Sequence, residues 1–510
     1  MGSKRHKYGR AAVLIVLCTM VTKVFGAGRD LVLSYCYGST IVSDAYILAT
    51  TLPVTIFAFI YEGIAASYIP VSTRLNSLEE RNQLTNNLIN LLWCLTAIVV
   101  ILIEIFPEQV IKIFASGFSQ EALQIAVYIT RLSVLGVFFS STTYVLTYYL
   151  NYHNSFYVPA IRAIPMDLAV IISIFAGAGT KNLFPIAFGV PLSLLISLLF
   201  IFPFAINKGY RYRFTLSVSD ENIKNIIVWS IPVIVSTAIA DINSIIDRQF
   251  ASWLITGGIS VLTYSSRTLD VIRTTLFVPV ITVLFPAFSR DIHMGEKEKV
   301  AAAASKAFSM LSLIAIPLTF GTMALSEEII SVLFQRGAFD RQAAFVTGNC
   351  LKFYAAALWA YAIITITTKI FHAMTDMKSP MRISVIGVVI NIMGNICFSK
   401  FFGISGLSIA TSVSVITIAL MQYFLLNYKL KFDNKHFIKT ILKSLIASFG
   451  MLMTLIALKS YFSKRLTTVF LVGICVIGSV LTYLALLALQ RTDEIKQIRL
   501  LIKKDTKEID

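Results

Sequence analysis

The chain has 510 residues, 56% hydrophobic and 14% charged, with a mean hydropathy of +0.77; a soluble domain carries about 25% charged residues, so a soluble globular protein is excluded. The net charge of +17 comes from short basic clusters between apolar runs, not from one patch interleaved with aromatics, which excludes a nucleic-acid binder. Six cysteines without a CxxC pair and five histidines without an HExxH spacing supply no metal or redox motif.

The apolar runs reach about 20 residues or more, enough to cross roughly 30 Å of hydrocarbon as a helix. In chain order they predict spans at 11–36, 41–70, 84–106, 122–150, 156–178, 182–206, 222–251, 257–289, 299–325, 340–372, 380–400, 404–427, 436–460 and 465–489. The first run follows Lys4-Arg5-His6-Lys7 in the manner of a secretory signal, yet hydrophobic sequence resumes at Leu31 and continues to Leu489, so it reads as a retained first helix. The fold class is therefore an all-α integral membrane protein of about fourteen transmembrane helices. Basic residues concentrate at Lys208, Arg211 and Arg213, at Arg290, Lys297 and Lys299, and at Lys429, Lys431, Lys435 and Lys439, which orients both termini to the cytoplasm.

A weak internal repeat runs through this order. Arg29-Asp30, Ala45-Tyr46-Ile47 and the stretch Tyr68 to Arg74 are echoed by Asp247-Arg248, Thr263-Tyr264-Ser265 and the stretch Leu284 to Arg290. Equivalent elements stand six spans apart, which predicts two pseudo-symmetric six-helix lobes plus two C-terminal helices. The boundaries are 1–206 for the N-lobe, 207–430 for the C-lobe, 431–490 for spans 13 and 14 with a groove suited to a lipid tail, and 491–510 for a basic cytoplasmic tail.

An ionisable side chain at bilayer depth costs about 2.5–3.5 kcal/mol, so each requires a partner or a wet cavity. Span 1 holds Lys23, Arg29 and Asp30 around Gly26-Ala27-Gly28, span 2 holds Asp44 and Glu62, and span 8 holds Arg267, Asp270 and Arg273. One reading is a cationic cavity in which Arg29 and Arg267, one from each half, grip a diphosphate through bidentate hydrogen bonds, with Lys23, Asp30, Asp44 and Arg273 around them. A helix broken at the two glycines would add backbone donors. The other reading is internal pairing, Arg29 with Asp44 and Arg267 with Asp270. A second set, Asp247 in span 7, Asn391 and Asn395 four apart in span 11, and Thr411 in span 12, has the hard oxygen donors of a sodium site, or forms a polar patch between helices, or leaves Asp247 paired with neighbouring Arg248. No nucleophile and base order, phosphate loop or large extramembrane domain suggests an enzyme, and no cofactor is expected beyond a coupling sodium ion.

Three groups of residues carry a resemblance. The first is Thr22-Lys23-Val24-Phe25-Gly26-Ala27-Gly28-Arg29-Asp30, the most specific; the second is Ser43-Asp44-Ala45-Tyr46 through Leu52-Pro53, then Glu62-Gly63 and Ile69-Pro70. The third is Tyr264-Ser265-Ser266-Arg267, Leu333 through Phe339, and Lys378-Ser379-Pro380. In this order they resemble the MurJ/MviN-type lipid II flippases, within the superfamily of multidrug, oligosaccharidyl-lipid and polysaccharide exporters. The resemblance implies a V-shaped transporter in a bacterial cytoplasmic membrane. It would act as a monomer and carry an undecaprenyl-diphosphate-linked peptidoglycan precursor from the inner to the outer leaflet by alternating access, driven by membrane potential and sodium. It also implies that Arg29 and Arg267 are cavity arginines and Asp44 a family acidic position. Lys23 replaces a usual arginine, and Val54 to Ala58 lacks an arginine that relatives carry; these departures keep a related polyprenyl-diphosphate oligosaccharide open as cargo. A multidrug or cation antiporter of the same superfamily is the further alternative. The partners expected are the lipid-linked anion and membrane lipids, with no nucleic acid.

Overall fold

The structure, a computed structural model, describes residues 2–432 and 434–490. Outside the described residues lie the expected basic tail at 491–510 and the side chains of 2–17, 235–236, 239–241 and 278–287, the last including the repeat segment Leu284 to Ala287. Every regular element among the described residues is a helix. They are α1 (Gly2–Tyr37), α2 (Ile41–Ser72), α3 (Leu78–Ile105), α4 (Pro107–Phe114), α5 (Gln120–Val134), α6 (Val137–Tyr152), α7 (Tyr157–Ile161), α8 (Ala163–Thr180), α9 (Leu183–Asn207) and α10 (Glu221–Leu254). The order continues with α11 (Gly258–His293), α12 (Lys297–Ala324), α13 (Ser326–Phe334), α14 (Arg341–Ala355), α15 (Leu358–Ala373), α16 (Lys378–Phe402), α17 (Ile404–Leu430), α18 (Asn434–Phe462) and α19 (Thr468–Leu489).

Each predicted span has its helical counterpart. Nine stretches among the described residues are long and apolar enough to cross a membrane singly, α7 with α8 counting as one, and the pairs α5–α6 and α14–α15 qualify as spans bent by 46° and 47°. The long helices α1, α10 and α11 fall on the three remaining predicted spans. Both bends are a tightened turn with i→i−3 bonds, Gly136 N to Ser133 O at 3.0 Å in one and Ala357 N to Tyr354 O at 3.1 Å in the other. A short helix precedes each bent pair, α4 in one case and α13 in the other, so the sequence of span, short helix and bent span recurs six spans later. That recurrence is the structural form of the repeat.

By compactness the chain divides into Met1–Ser260 with Arg336–Asp340, and Val261–Gln335 with Arg341–Asp510. In the first unit α10 packs along α2 where small residues let the backbones approach: a Cβ on Gly63 would meet Ser230 Cβ at 2.9 Å, and Ser67 Oγ lies 2.9 Å from Ser230 Oγ. The segment after α9 runs along α3 and is held by a row of asparagines. Asn82, Asn86 and Asn90 donate to the carbonyls of Gly209, Arg211 and Thr215 at 2.8–3.0 Å, and Asn87 both donates to Ser217 O and accepts from Ser217 N at 2.8 Å.

In the second unit α16 and α17 form a close hairpin, with Ser414 Oγ donating to Gly387 O at 2.6 Å. The last two helices pack on α12 through Leu313, Ala447, Met451, Tyr483 and Leu487, and Tyr483 donates to Leu313 O at 2.7 Å. Lys459 on α18 reaches Glu328 on α13 at 2.6 Å and Ala324 O at 3.1 Å.

Candidate functional site

Arg29 sits three-quarters of the way along α1. Its Nε and Nη2 each donate to Asp30 Oδ1 at 3.3 Å, and Nη1 donates to Asp167 Oδ1 on α8 at 3.2 Å. The two acidic side chains are 8% and 5% exposed and the Arg29 side chain 27%, so the carboxylates are taken from solvent and the arginine is part-buried between them. Neither glycine is demanded by the approach of α8: a Cβ at Gly26 would lie at an ordinary 3.7 Å from Asp167 Oδ2, and one at Gly28 would meet nothing within 4 Å. Three of the five guanidinium N–H groups are thus occupied, and two meet no protein acceptor among the described residues.

Two expectations are corrected here. α1 is unbroken through Gly26-Ala27-Gly28, so no backbone donors are freed. Two glycines weaken a helix by about 1 kcal/mol each, less than unpaired peptide groups cost in hydrocarbon. The internal pairing of Arg29 with Asp44 is also replaced, since Arg29 takes Asp30 and Asp167. Asp44, 3% exposed in the first turn of α2, instead accepts from Ser260 N at 2.7 Å, at the start of α11, where a carboxylate meets otherwise unpaired amides. Lys23 is exposed on α1.

In the second unit Asp270 is held by Arg273, whose Nη2 donates to its Oδ1 at 2.7 Å, in place of the expected pair with Arg267. The Arg273 guanidinium also lies 4.5 Å from the Tyr361 ring centroid. Arg267 is half-buried on the same helix, α11. Asn391 and Asn395 are fully buried and linked in a chain, Asn395 Nδ2 donating to Asn391 Oδ1 at 3.0 Å and Asn391 Nδ2 to Thr411 Oγ1 at 3.2 Å. These neutral oxygens fit a sodium ion in kind, being hard donors in a buried setting. Asp247 is half-buried on α10 in the first unit. Among the described residues no group of three or more His, Cys, Asp or Glu side chains is disposed to hold a metal.

Sequence reasoning missed Asp167. An acidic residue in the apolar run 163–180 was the available signal, but its partner lies 138 positions away. It passed over Arg162, in the same span, for the same reason.

The family model described as "Lipid II flippase MurJ" matches residues 33–478. A Thermotoga maritima protein named probable lipid II flippase MurJ is 27% identical over 489 residues, covering 94% of this chain and 96% of that one. A Vibrio cholerae protein of the same name is 26% identical over 423 residues, covering 79% and 80%. Among solved structures, "Lipid II flippase MurJ, inward closed conformation" superposes with a TM-score of 0.84 at 24% identity, covering 95% of this chain and all of that one. An inward-facing multidrug resistance MATE transporter of the MOP superfamily gives 0.69 at 14% identity, covering 82% and 98%; both likenesses show the fold. The resemblance read from the motifs therefore holds across most of the chain, which is a multi-pass membrane protein and a member of the lipid II flippase MurJ family, a family of transporters and not of enzymes.

Proposed function

We propose that this chain moves lipid II, an undecaprenyl-diphosphate-linked peptidoglycan precursor, from the inner to the outer leaflet of a bacterial cytoplasmic membrane by alternating access. Family membership supports the cargo class, and the observation that carries the site is Arg29: a membrane-depth guanidinium fixed by Asp30 and Asp167 with two N–H groups that meet no protein acceptor among the described residues. Such an arginine presents a planar fork to a diphosphate without the cost of ordering it first. Arg267 is its proposed counterpart in the second unit, with Lys23, Arg273 and Asp44 as accessory charges.

The barrier to flipping is desolvation of the headgroup, so the transport step needs charged and polar side chains but no covalent chemistry. Membrane potential, inside negative, drives the anion outward by about 2.3 kcal/mol per charge per 100 mV. Sodium is the proposed coupling ion, with Asn391, Asn395 and Thr411 as its candidate ligands in the second unit. The exposed apolar side chains of α18 and α19, among them Ile446 and Leu481, offer a course for the lipid tail. In this reading the protein is a monomer with both termini cytoplasmic, the basic inter-span segments facing inward.

A second reading has one observation in its favour: two acidic side chains face one guanidinium around Arg29, a balance that suits an organic cation. The test separates the two. Cells depleted of the protein are assayed for lipid II trapped in the inner leaflet, with Arg29→Ala and Arg267→Ala as rescue variants. Trapped lipid II and failed rescue by well-expressed variants support the flippase; normal export refutes it and directs attention to cation efflux.

A further inference from the structure

The sixth position of the span Tyr157–Thr180 is Arg162, at the break between α7 and α8 and flanked by Pro159 and Pro165. It therefore belongs to a run apolar enough to cross a membrane, and a cation in such a run requires a partner or a wet setting. Among the described residues it makes one hydrogen bond, from Nη1 to Ser197 Oγ on α9, at 3.2 Å. No carboxylate among the described residues lies within ion-pairing distance of it.

The guanidinium is nonetheless held in place. It stacks 5.0 Å from the centroid of Tyr144 on α6, and the Tyr144 ring packs against Tyr61 with centroids 4.3 Å apart and planes 18° from parallel. Tyr61 is fixed in turn by its hydroxyl, 3.1 Å from Ser140 Oγ and 2.9 Å from Ser141 Oγ. Tyr148, 6% exposed, closes the cluster by donating to Tyr61 O at 2.8 Å. An arginine reaching for the interface would extend towards headgroups. This one is anchored to a fully buried serine and an aromatic face, with four of its five N–H groups meeting no protein acceptor among the described residues.

We propose that Arg162, laid on Tyr144, is a second anion-binding side chain of the first unit, whose ligand is the phosphate ester of the transported lipid. The assignment rests on the flippase reading for the identity of that ester. The chemistry is the same for any phosphate ester: a planar cation with parallel N–H donors, held against an aromatic face. A bilayer phospholipid offers the same group, and the experiment distinguishes the two sources.

Full-length protein is placed in nanodiscs of phosphatidylcholine, and binding of farnesyl diphosphate is measured for the parent chain and R162Q. The expected result is a loss of about tenfold or more in affinity, unchanged when phosphatidylglycerol replaces a third of the lipid. Phosphatidylglycerol that abolishes the difference between parent and R162Q supports the anion site and identifies bilayer phospholipid as its occupant. Equal affinity of parent and R162Q in both lipids overturns the proposal, as does failure of the parent chain to bind the probe. Should R162Q not fold, R162K, which keeps charge but loses the planar fork, is expected to weaken binding at least threefold; unchanged binding overturns the proposal equally. Normal lipid II export in depleted cells alongside Arg162-dependent binding would sink the flippase reading alone, whereas normal flipping and binding by R162Q would sink only this inference.

Discussion

Removing Asp167 should move stability and anion affinity in opposite directions. The Asp167 carboxylate is 5% exposed and sits 3.2 Å from Arg29 Nη1. At an effective dielectric near 20, two charges at that separation attract by about 5 kcal/mol, and most of this is offset by the cost of taking the carboxylate from water. The net value of one hydrogen bond to a charged group is about 1.5–3 kcal/mol. The larger loss of about 3–5 kcal/mol seen when a buried charge is stranded should not be reached, because Arg29 retains Asp30. Asp167→Ala is therefore expected to destabilise by about 2 kcal/mol and Asp167→Asn, which keeps a neutral acceptor, by about 1 kcal/mol. With one acidic group fewer, the guanidinium should hold a diphosphate more tightly, by roughly fivefold if about 1 kcal/mol of repulsion is relieved. Thermal unfolding of the purified chain in nanodiscs and farnesyl diphosphate binding measure the two effects. An unchanged unfolding midpoint for Asp167→Ala, or a fall in affinity together with stability, refutes the reasoning.

Three other expectations follow from contacts away from Arg29. Burial opposes ionisation of Asp376, but donors from Lys429 and Ser379 outweigh it and hold its carboxyl near 2, below the ordinary 3.8. Because the folded value is depressed, the stabilisation is present above about pH 4 and is lost as pH falls through about 2; the protection factors of amides 374–378, measured against their intrinsic rates at each pH, should fall over that window and, in Asp376→Asn, be low throughout. Lys459→Met leaves Glu328, 14% exposed, without its cation and should cost about 3 kcal/mol, while Lys459→Met with Glu328→Leu should recover most of the loss; thermal unfolding of the single and double variants decides this. Asn87→Leu removes both bonds to Ser217 and should raise proteolysis after Arg211 and Arg213 severalfold, with unchanged cleavage counting against a clamped segment.

The spans were legible because each needs a long apolar run, and the helices follow the predicted ranges to within a few residues at most ends. Their internal bends were not. The α14–α15 break falls at Ala356-Ala357, which carries no proline or glycine, so only tertiary packing selects it. α4 and α13 lay in the gaps between spans because eight or nine residues are too few to read as a crossing. At the site, the Asn391–Asn395 link was visible as an i, i+4 spacing, and Arg29 was visible as a charge in an apolar run. The partner of Arg29 was not, because Asp167 approaches through a fold of the chain and not through spacing. The same limit explains Asp44: its charge was plain, while its engagement of Ser260 depends on where α11 begins.

The asparagine row on α3 has a consequence for what this segment can tolerate. A helix uses its own peptide groups internally, so α3 presents side-chain amides where a strand edge would present main chain, and an amide carries the donor and acceptor of a peptide group. What the amides of α3 read in residues 209–217 is consequently mostly backbone, with the Tyr212 hydroxyl on Asn90 Oδ1 as a side-chain contact. Exposed side chains there, such as the 75% exposed Phe214, can be exchanged, whereas Tyr210, which is buried, and Tyr212, whose hydroxyl donates to Asn90 Oδ1 at 2.8 Å, are held, and one inserted residue would shift every carbonyl out of step with the amide that meets it. Proline at 217 would remove the single N–H that Asn87 accepts. The segment behaves as a ruler, strict about length and tolerant at its exposed positions.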